Sequence, residues 1–511
     1  MSQLSPARES RAPEAPGSAA SPESAGAARL ARDEIPPFAR REVVPQLVGA
    51  HATESLVCHP YTVEQCRTAI EFCRRRGLTL CPRGSGHSYG DMPLNDGEVL
   101  LDVRGMNRIL DFDPRTGRMV VEPGVQIIDV YRAAHPHMFM LPASPSEGTI
   151  TVGGAIANNV NGKDSWRAGN FGDQVLGLKL LTASGEVLEV DRSREPELFS
   201  AVNGGMGMLG IVVEATLQLV KITTPYVQTS RVEARNVREM LALVEHTERD
   251  ADFAVGWIDV YAHHRGRGRS VIHSTKWLER PERAEHYDRD VTQTLERLAT
   301  SRHKALIAHG LLNYVTSALL QFQRVTVRLF NKAYFVFCTL RNRSPMSQAE
   351  LFIEYNFFPN LQIPPAAMVC GPHGYAIQVV FPRDDAERAI TEMIRICQSW
   401  PCPPVTTVLR LHKKDDNVLS FSADGYSLNF EIHPKRRHVE RMRAGVDALV
   451  ECAIRFGGKV HLAKDHVLRA EQFRELFPRH AEFLAFKRRV DPEGLFSSNL
   501  FRRLFPDFSS S

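Results

Sequence analysis

Apolar residues recur along this chain with two different periods, and the switches between them mark out the elements. Val63, Cys66, Ala69, Ile70 and Cys73 fall at helical spacing. Thr62 with Gln65 forms a capping box at the start of that helix, and Gly77 is placed to end it. A short strand at 79–81 then delivers a glycine-rich loop. The runs 99–103 and 109–112 read as strands, and Asp113-Pro114-Arg115-Thr116-Gly117 turns the second into 119–122 as a hairpin. A helix is expected at 125–134, and a second hairpin pairs 175–181 with 187–190 around Ala183-Ser184-Gly185. The run 211–220 alternates and is rich in β-branched residues, so it is a strand.

After Thr223-Thr224-Pro225 the texture changes. Strands are expected at 254–261, 375–381, 405–411 and 426–432. Between them, 384–400 is an amphipathic helix with Ala386, Ala389, Ile390, Met393, Ile394 and Cys397 inward. Another helix at 439–456 is closed by Gly457-Gly458. This alternation predicts a second domain at 226–456, an antiparallel sheet with helices on one face. The remainder carries Val460-His461-Leu462-Ala463-Lys464-Asp465, a helix around 473–486, and Val490-Asp491-Pro492. The fold class is α+β with short strands, and no internal repeat is visible.

Length adds that 511 residues exceed a single core, so two or three domains are expected. The apolar share of 43% and charged share of 24% are those of an ordinary globular protein. A net charge of +4 is too small to point to nucleic acid. Nine scattered cysteines show no zinc spacing; their number and placing suggest reduced, buried thiols and a cytoplasmic location. Residues 1–33 read as a disordered tail without the apolar core of a signal peptide. No run is long and apolar enough to span a bilayer, since His309, Asn313 and Gln321 interrupt the nearest at 305–322.

The candidate chemistry begins at Arg83-Gly84-Ser85-Gly86-His87-Ser88-Tyr89-Gly90-Asp91. A loop with so little side chain bares its backbone N–H groups and can wrap a pyrophosphate. A second small-residue stretch, Gly148-Thr149-Ile150-Thr151-Val152-Gly153-Gly154-Ala155-Ile156-Ala157-Asn158, offers a flat surface for a phosphate or planar ring, which Gly162-Lys163 extends. Gly205-Met206-Gly207-Met208-Leu209-Gly210 matches GxGxxG, but a strand and not a helix follows it. It is therefore read as a turn against the cofactor, with Gly210, Ile211 and Val212 at its exit, and not as a Rossmann NAD site. Ser88 has no base partner in sight, and no metal motif is present.

These residues carry a resemblance. Arg83-Gly84-Ser85-Gly86-His87-Ser88 together with Ile150-Thr151-Val152-Gly153-Gly154-Ala155-Ile156-Ala157 resembles the FAD-binding (PCMH-type) domain of the vanillyl-alcohol-oxidase superfamily. More narrowly, Ser88-Tyr89-Gly90-Asp91, Gly162-Lys163, Phe171-Gly172, Ala463-Lys464-Asp465 and Val490-Asp491-Pro492 are similar to the decaprenylphosphoryl-ribose oxidases, flavoprotein halves of a sugar 2′-epimerase. The resemblance implies an FAD domain built from 34–225 and 457–505 around the substrate domain. It places the family's flavin-side lysine on Lys464, its substrate-side tyrosine on Tyr89, its substrate-facing lysine on Arg410 and its strand glutamine on Gln378. Three positions depart from those oxidases: His87 stands for their arginine, Asn429 for their cysteine and His461 for their tyrosine. The first points toward alditol and aldonolactone oxidases, in which a histidine of this loop is often joined covalently to FAD.

Each role has a plainer counterpart. Lys464 holds a substrate hydroxyl or the charge of reduced flavin, or it pairs with Asp465 on a surface turn. His87 is attached to FAD, walls its site, or is a loop histidine bonded to backbone. Tyr89 shapes the pocket or packs as a lid. The basic run His263–Arg269 greets an anion or is a solvated loop, and the apolar segment 305–334 meets a membrane or is core. The expectation is an FAD-dependent oxidoreductase that oxidises a hydroxyl of a sugar or polyprenyl-phosphate sugar, served by an NAD-dependent reductase if the epimerase likeness holds. An alditol or aldonolactone oxidase with histidyl-linked FAD and oxygen as acceptor is the alternative, and a flavin-fold binding module the third.

Overall fold

The computed structural model describes residues 30, 34–47, 52–278, 293–294, 323–342, 349–357, 374–402, 404, 406–432, 434, 436–465 and 467–508. All but one residue of the expected tail, the charged stretch 279–302 apart from 293–294, and 305–322 lie outside these.

The first layer is a four-stranded sheet of β1 (Ala39–Pro45), β2 (Ala52–Cys58), β3 (Leu80–Arg83) and β4 (Val99–Asp102), in the order β1-β2-β4-β3. The crossover between β2 and β3 is helix α1 (Val63–Arg76). As its sequence predicts, Thr62 caps it by accepting from the Gln65 N–H, and Gly77 ends it at φ 62°. Cys66, Ile70 and Cys73 on its inner face pack with Leu56, Leu80 and Leu101 into a small core that also takes in Phe496.

A second sheet follows from the two expected hairpins: β5 (Ile109–Asp113), β6 (Arg118–Val121), β8 (Val175–Leu181), β9 (Val187–Asp191) and β10 (Ile211–Gln218), in the order β5-β6-β10-β8-β9. Two short strands, β7 (Phe139–Met140) and β11 (Val220–Lys221), pair beside it. β10 is buried and half-buried at alternate residues, as its sequence pattern requires.

The third sheet has eight antiparallel strands: β12 (Tyr226–Ala234), β13 (Phe253–Ile258), β14 (Ser270–Trp277), β15 (Ala349–Leu351), β16 (Tyr375–Pro382), β17 (Thr406–His412), β18 (Gly425–Ile432) and β19 (Lys459–Val460). Their order is β15-β12-β14-β13-β17-β18-β16-β19. Helices α2 (Val237–Asp250), α4 (Ala386–Ser399) and α5 (Val439–Arg455) pack against it and one another. The inward set expected for α4 is buried. Helix α3 (Gln323–Asn342) lies against β12 and β14, with Tyr334 on His273. The helix expected around 473–486 is two, 470–476 and 480–490, because Pro478 can neither donate a backbone hydrogen bond nor let its predecessor stay helical.

The late segment is stitched into the early sheet. Leu80 N–H donates to the Leu495 carbonyl at 2.8 Å, and Ser497 N–H to the Leu80 carbonyl at 3.1 Å. Beneath the stitch, Lys487 and Asp491 form a fully buried pair at 2.5 Å. Lys487 Nζ also donates to the carbonyls of Met208 (2.7 Å) and Phe496 (2.5 Å), which fastens the glycine turn at 205–210 to the end of the fold.

Candidate active site and cofactor cleft

β3 runs straight into the glycine loop, and the small residues there answer close approaches. A Cβ on Gly84 would lie 2.1 Å from Thr151 Oγ1, and one on Gly153 would lie 2.9 Å from Pro123 Cβ. Gly86 takes φ 70°. The turn 205–210 needs left-handed backbone at Met206 and Gly207 as well. The three small-residue stretches thus press together and leave a cleft between them. Its walls are Arg83, Gly84, Ser85, Gly86, His87 and Ser88 from the first stretch, and Thr151, Gly153, Gly154, Ala157 and Asn158 from the second. Gly210, Ile211 and Val212 come from the third, and Ala463 closes the cleft from the C-terminal side. Sequence reasoning missed Met92, Val103 and Val160, apolar residues that flank the polar loops.

A family model for an FAD binding domain matches residues 55–191, and one for D-arabinono-1,4-lactone oxidase matches residues 375–504. The chain is similar to decaprenylphosphoryl-beta-D-ribose oxidase of Mycolicibacterium smegmatis, 27% identical over 447 residues that cover 86% of this chain and 92% of that protein. It is also similar to L-gulonolactone oxidase of Mus musculus, 23% identical with 87% and 94% covered. L-gulono-1,4-lactone dehydrogenase of Mycobacterium tuberculosis is 25% identical with 88% and 96% covered. The chain carries an FAD binding domain and is an FAD-dependent oxidoreductase.

The residues present fit FAD. Ser85 Oγ and Asn158 Oδ1 are buried without a hydrogen-bond partner among the described residues, a costly state that a polar ligand relieves. The flavoprotein's remaining cofactor candidates stand just behind the wall. Gly148 accepts from the Ile128 N–H at 2.8 Å, Val152 is buried core, and Gly162 donates to Ser165 Oγ at 2.8 Å. Thr149 carries a chain of its own: its hydroxyl donates to Glu147 Oε1 at 2.7 Å and lies 2.8 Å from His87 Nε2. Gly90 touches the Asp465 backbone, and Tyr89 N–H donates to the Ala463 carbonyl at 2.8 Å. Arg503 bridges Asp91 and Asp465, each at 2.8 Å.

That zipper brings Tyr89 and Lys464 to one face of the eight-stranded sheet. Gln378 pairs with Asn429 across β16 and β18, and Arg410 with Ser427 across β17 and β18, so all four share a face. Lys464 Nζ reaches over it and donates to Gln378 Oε1 at 2.9 Å and Asn429 Oδ1 at 3.0 Å. Burial, aided by the positive charge of Arg410, lowers the Lys464 ammonium to about 7, against the opposing pull of Glu431. Glu431 was not foreseen. It accepts from Tyr89 OH at 3.2 Å, its own carboxyl is raised by burial, and its charge holds the Tyr89 phenol well above its ordinary value.

Arg410 Nη1 is buried without a hydrogen-bond partner among the described residues; burial lowers its guanidinium, with Tyr355 and Asp164 opposing. His461 stacks on Phe421 at 4.0 Å and accepts the Ala463 N–H on Nδ1, and burial holds it neutral. All six residues expected near the substrate therefore meet in one region, with Ser427 and His412 as unforeseen neighbours.

Proposed function

We propose that this flavoprotein oxidises a hydroxyl of a sugar or a lipid-linked sugar, with Lys464 receiving the hydroxyl proton. The observation that carries this reading is the setting of Nζ. A neutral amine has two N–H bonds, and Gln378 Oε1 and Asn429 Oδ1 accept both, which leaves the lone pair free to take a proton. An ammonium lowered to about 7 is matched to accepting a proton near neutral pH. FAD supplies the hydride acceptor when bound. Glu431 holds the Tyr89 hydroxyl, and the unpartnered Nη1 of Arg410 suits an oxygen-rich ligand. The decaprenylphosphoryl-ribose and gulonolactone relatives support a sugar. Anaerobic mixing with a panel of sugars, aldonolactones and polyprenyl-phosphate sugars, followed by flavin bleaching, tests it; a panel that never bleaches flavin refutes it.

The second reading is an alditol or aldonolactone oxidase with FAD joined to His87. It is supported by the lactone-oxidase match at 375–504 and by His87 on the cleft wall. Flavin that stays with acid-precipitated protein, with oxygen consumed on an aldonolactone, would establish it. Under the first reading, an NAD-dependent reductase is the partner that takes up the keto product.

Helix α3 supports a peripheral membrane contact. Val325, Leu329, Phe330, Val336, Phe337 and Leu340 are exposed on it, Arg328 and Lys332 stand among them, and its 20 residues include no acid. No helix among the described residues is long and apolar enough to cross a membrane. Flotation with anionic vesicles, lost on Phe337→Glu, tests the contact. The eight described cysteines are buried free thiols, as a cytoplasmic location favours. We divide the chain into an FAD domain of 34–225 with 457–505 and a substrate domain of 226–456.

A further inference from the structure

A chain of hydrogen bonds leads from Lys464 into the sheet, and its direction is dictated from one end. The ammonium form of Lys464 can face only an acceptor at Gln378, so that amide presents Oε1 to Nζ and Nε2 to the interior. Nε2 donates to Ser427 Oγ at 3.0 Å and to Asn161 Oδ1 at 3.4 Å. The Ser427 hydroxyl, 2.7 Å from His412 Nε2, gives its proton there. The imidazole then carries its hydrogen on Nδ1, facing Ser422 Oγ at 3.5 Å, and Ser422 donates onward to the Lys413 carbonyl at 2.9 Å. Every donor points away from Lys464. Gln378, Ser427 and His412 are buried, and burial lowers His412 to about 3, so it stays neutral.

We propose that Ser427 and His412 are positioning residues that lock the Gln378 amide in the one orientation able to aim the Lys464 amine at the substrate. The inference rests on the reading of Lys464 as the base. An amide rotated end for end would set an NH₂ group against Nζ and cost Lys464 one of its two anchors. Ser427 prevents this because His412 has already claimed its proton, leaving only an acceptor for Gln378. An amide cannot pass a proton along such a line under these conditions, so the chain orients the base and does not drain it.

The groups that act on Lys464 come from every neighbouring element: Arg410 and His412 on β17, Glu431 on β18, Tyr89 on the glycine loop through Glu431, and His461 on its own segment. Ser427→Ala removes a hydrogen bond of His412, which is neutral, and leaves Arg410, Glu431, Tyr89 and His461 in place. The test compares wild type, Ser427→Ala and Ser427→Thr as holoenzymes. Competitive acetylation across pH, read by peptide mass spectrometry, gives the midpoint of Lys464 reactivity, and anaerobic flavin reduction gives kcat and KM.

Losing one acceptor is expected to lower the Ser427→Ala midpoint by about one pH unit, a tenfold change in the protonation equilibrium. Its kcat is expected to fall about tenfold at unchanged flavin content and nearly unchanged KM, with Ser427→Thr restoring both. A wild-type midpoint near an ordinary lysine's overturns the base reading and this proposal with it. A wild-type midpoint near 7 that Ser427→Ala leaves in place overturns this proposal alone, as does a rise in KM at constant kcat.

Discussion

Replacing Gly90 by alanine strikes the point where the glycine loop crosses the segment that carries Lys464. The new Cβ would lie 1.9 Å from the Asp465 carbonyl oxygen and 3.0 Å from its carbon. This is backbone on both sides, so no side chain can swing clear. Gly90 has no left-handed conformation, so alanine's own preferences oppose nothing and the whole effect comes from the contact. The two strands of chain must part by about 1.5 Å to regain ordinary contact. That breaks the Tyr89 N–H bond to Ala463, now 2.8 Å, at a cost of about 1 kcal/mol. The crowding adds about 1–3 kcal/mol, so stability is expected to fall by about 2–4 kcal/mol. Activity suffers separately, since Tyr89 stands on one side of the wedge and Lys464 on the other. A displacement of this size costs roughly 100-fold in rate. Urea unfolding followed by flavin fluorescence measures the first effect, and stopped-flow flavin reduction the second. A Gly90→Ala enzyme within threefold of wild type in rate and within about 0.5 kcal/mol in stability would refute the zipper as the device that places the site.

Flavin reduction is expected to rise with pH through a midpoint near 7 and level off above it, because the base form of Lys464 is the one without the extra proton. At pH 7 about half of Lys464 is neutral, against roughly one part in 3,000 for a lysine at 10.5. Lys464→Met should lose about 10²–10⁴-fold in kcat with flavin content intact, as measured by anaerobic reduction. Glu431→Gln removes the charge that favours protonated Lys464, so the midpoint should move below 7; a move upward in the same assay would contradict the assignment. Lys487→Met strands the buried Asp491 carboxylate and the Met208 carbonyl, and denaturant titration should show a loss of about 3–5 kcal/mol.

Much of the fold is legible because local rules were left undisturbed. Thr62, Gln65 and Gly77 delimit α1 by capping alone, and the alternation of 211–218 overrides a dinucleotide fingerprint by demanding a strand. The cleft follows, since close backbone approach needs the glycines wherever the three stretches happen to lie. Glu431, Ser427 and His412 were harder. Their signal was present: Ser427, Asn429 and Glu431 alternate with Leu428, Phe430 and Ile432, and Arg410 and His412 flank Leu411, so a polar stripe was visible in two strands. What sequence spacing lacks is strand order. β18 lies between β17 and β16, which sets Gln378 opposite Asn429, and only that adjacency turns isolated polar residues into one cluster. Pro478 was a legible break passed over because the apolar spacing ran on through it.

The bridge from Arg503 to Asp91 joins residues 412 positions apart, and Leu80 bonds to Leu495 in the same way. A growing polypeptide therefore displays its nucleotide loops long before their closing wall exists. The wall that Ala463 supplies to the cleft is made only after more than nine-tenths of these residues have been joined.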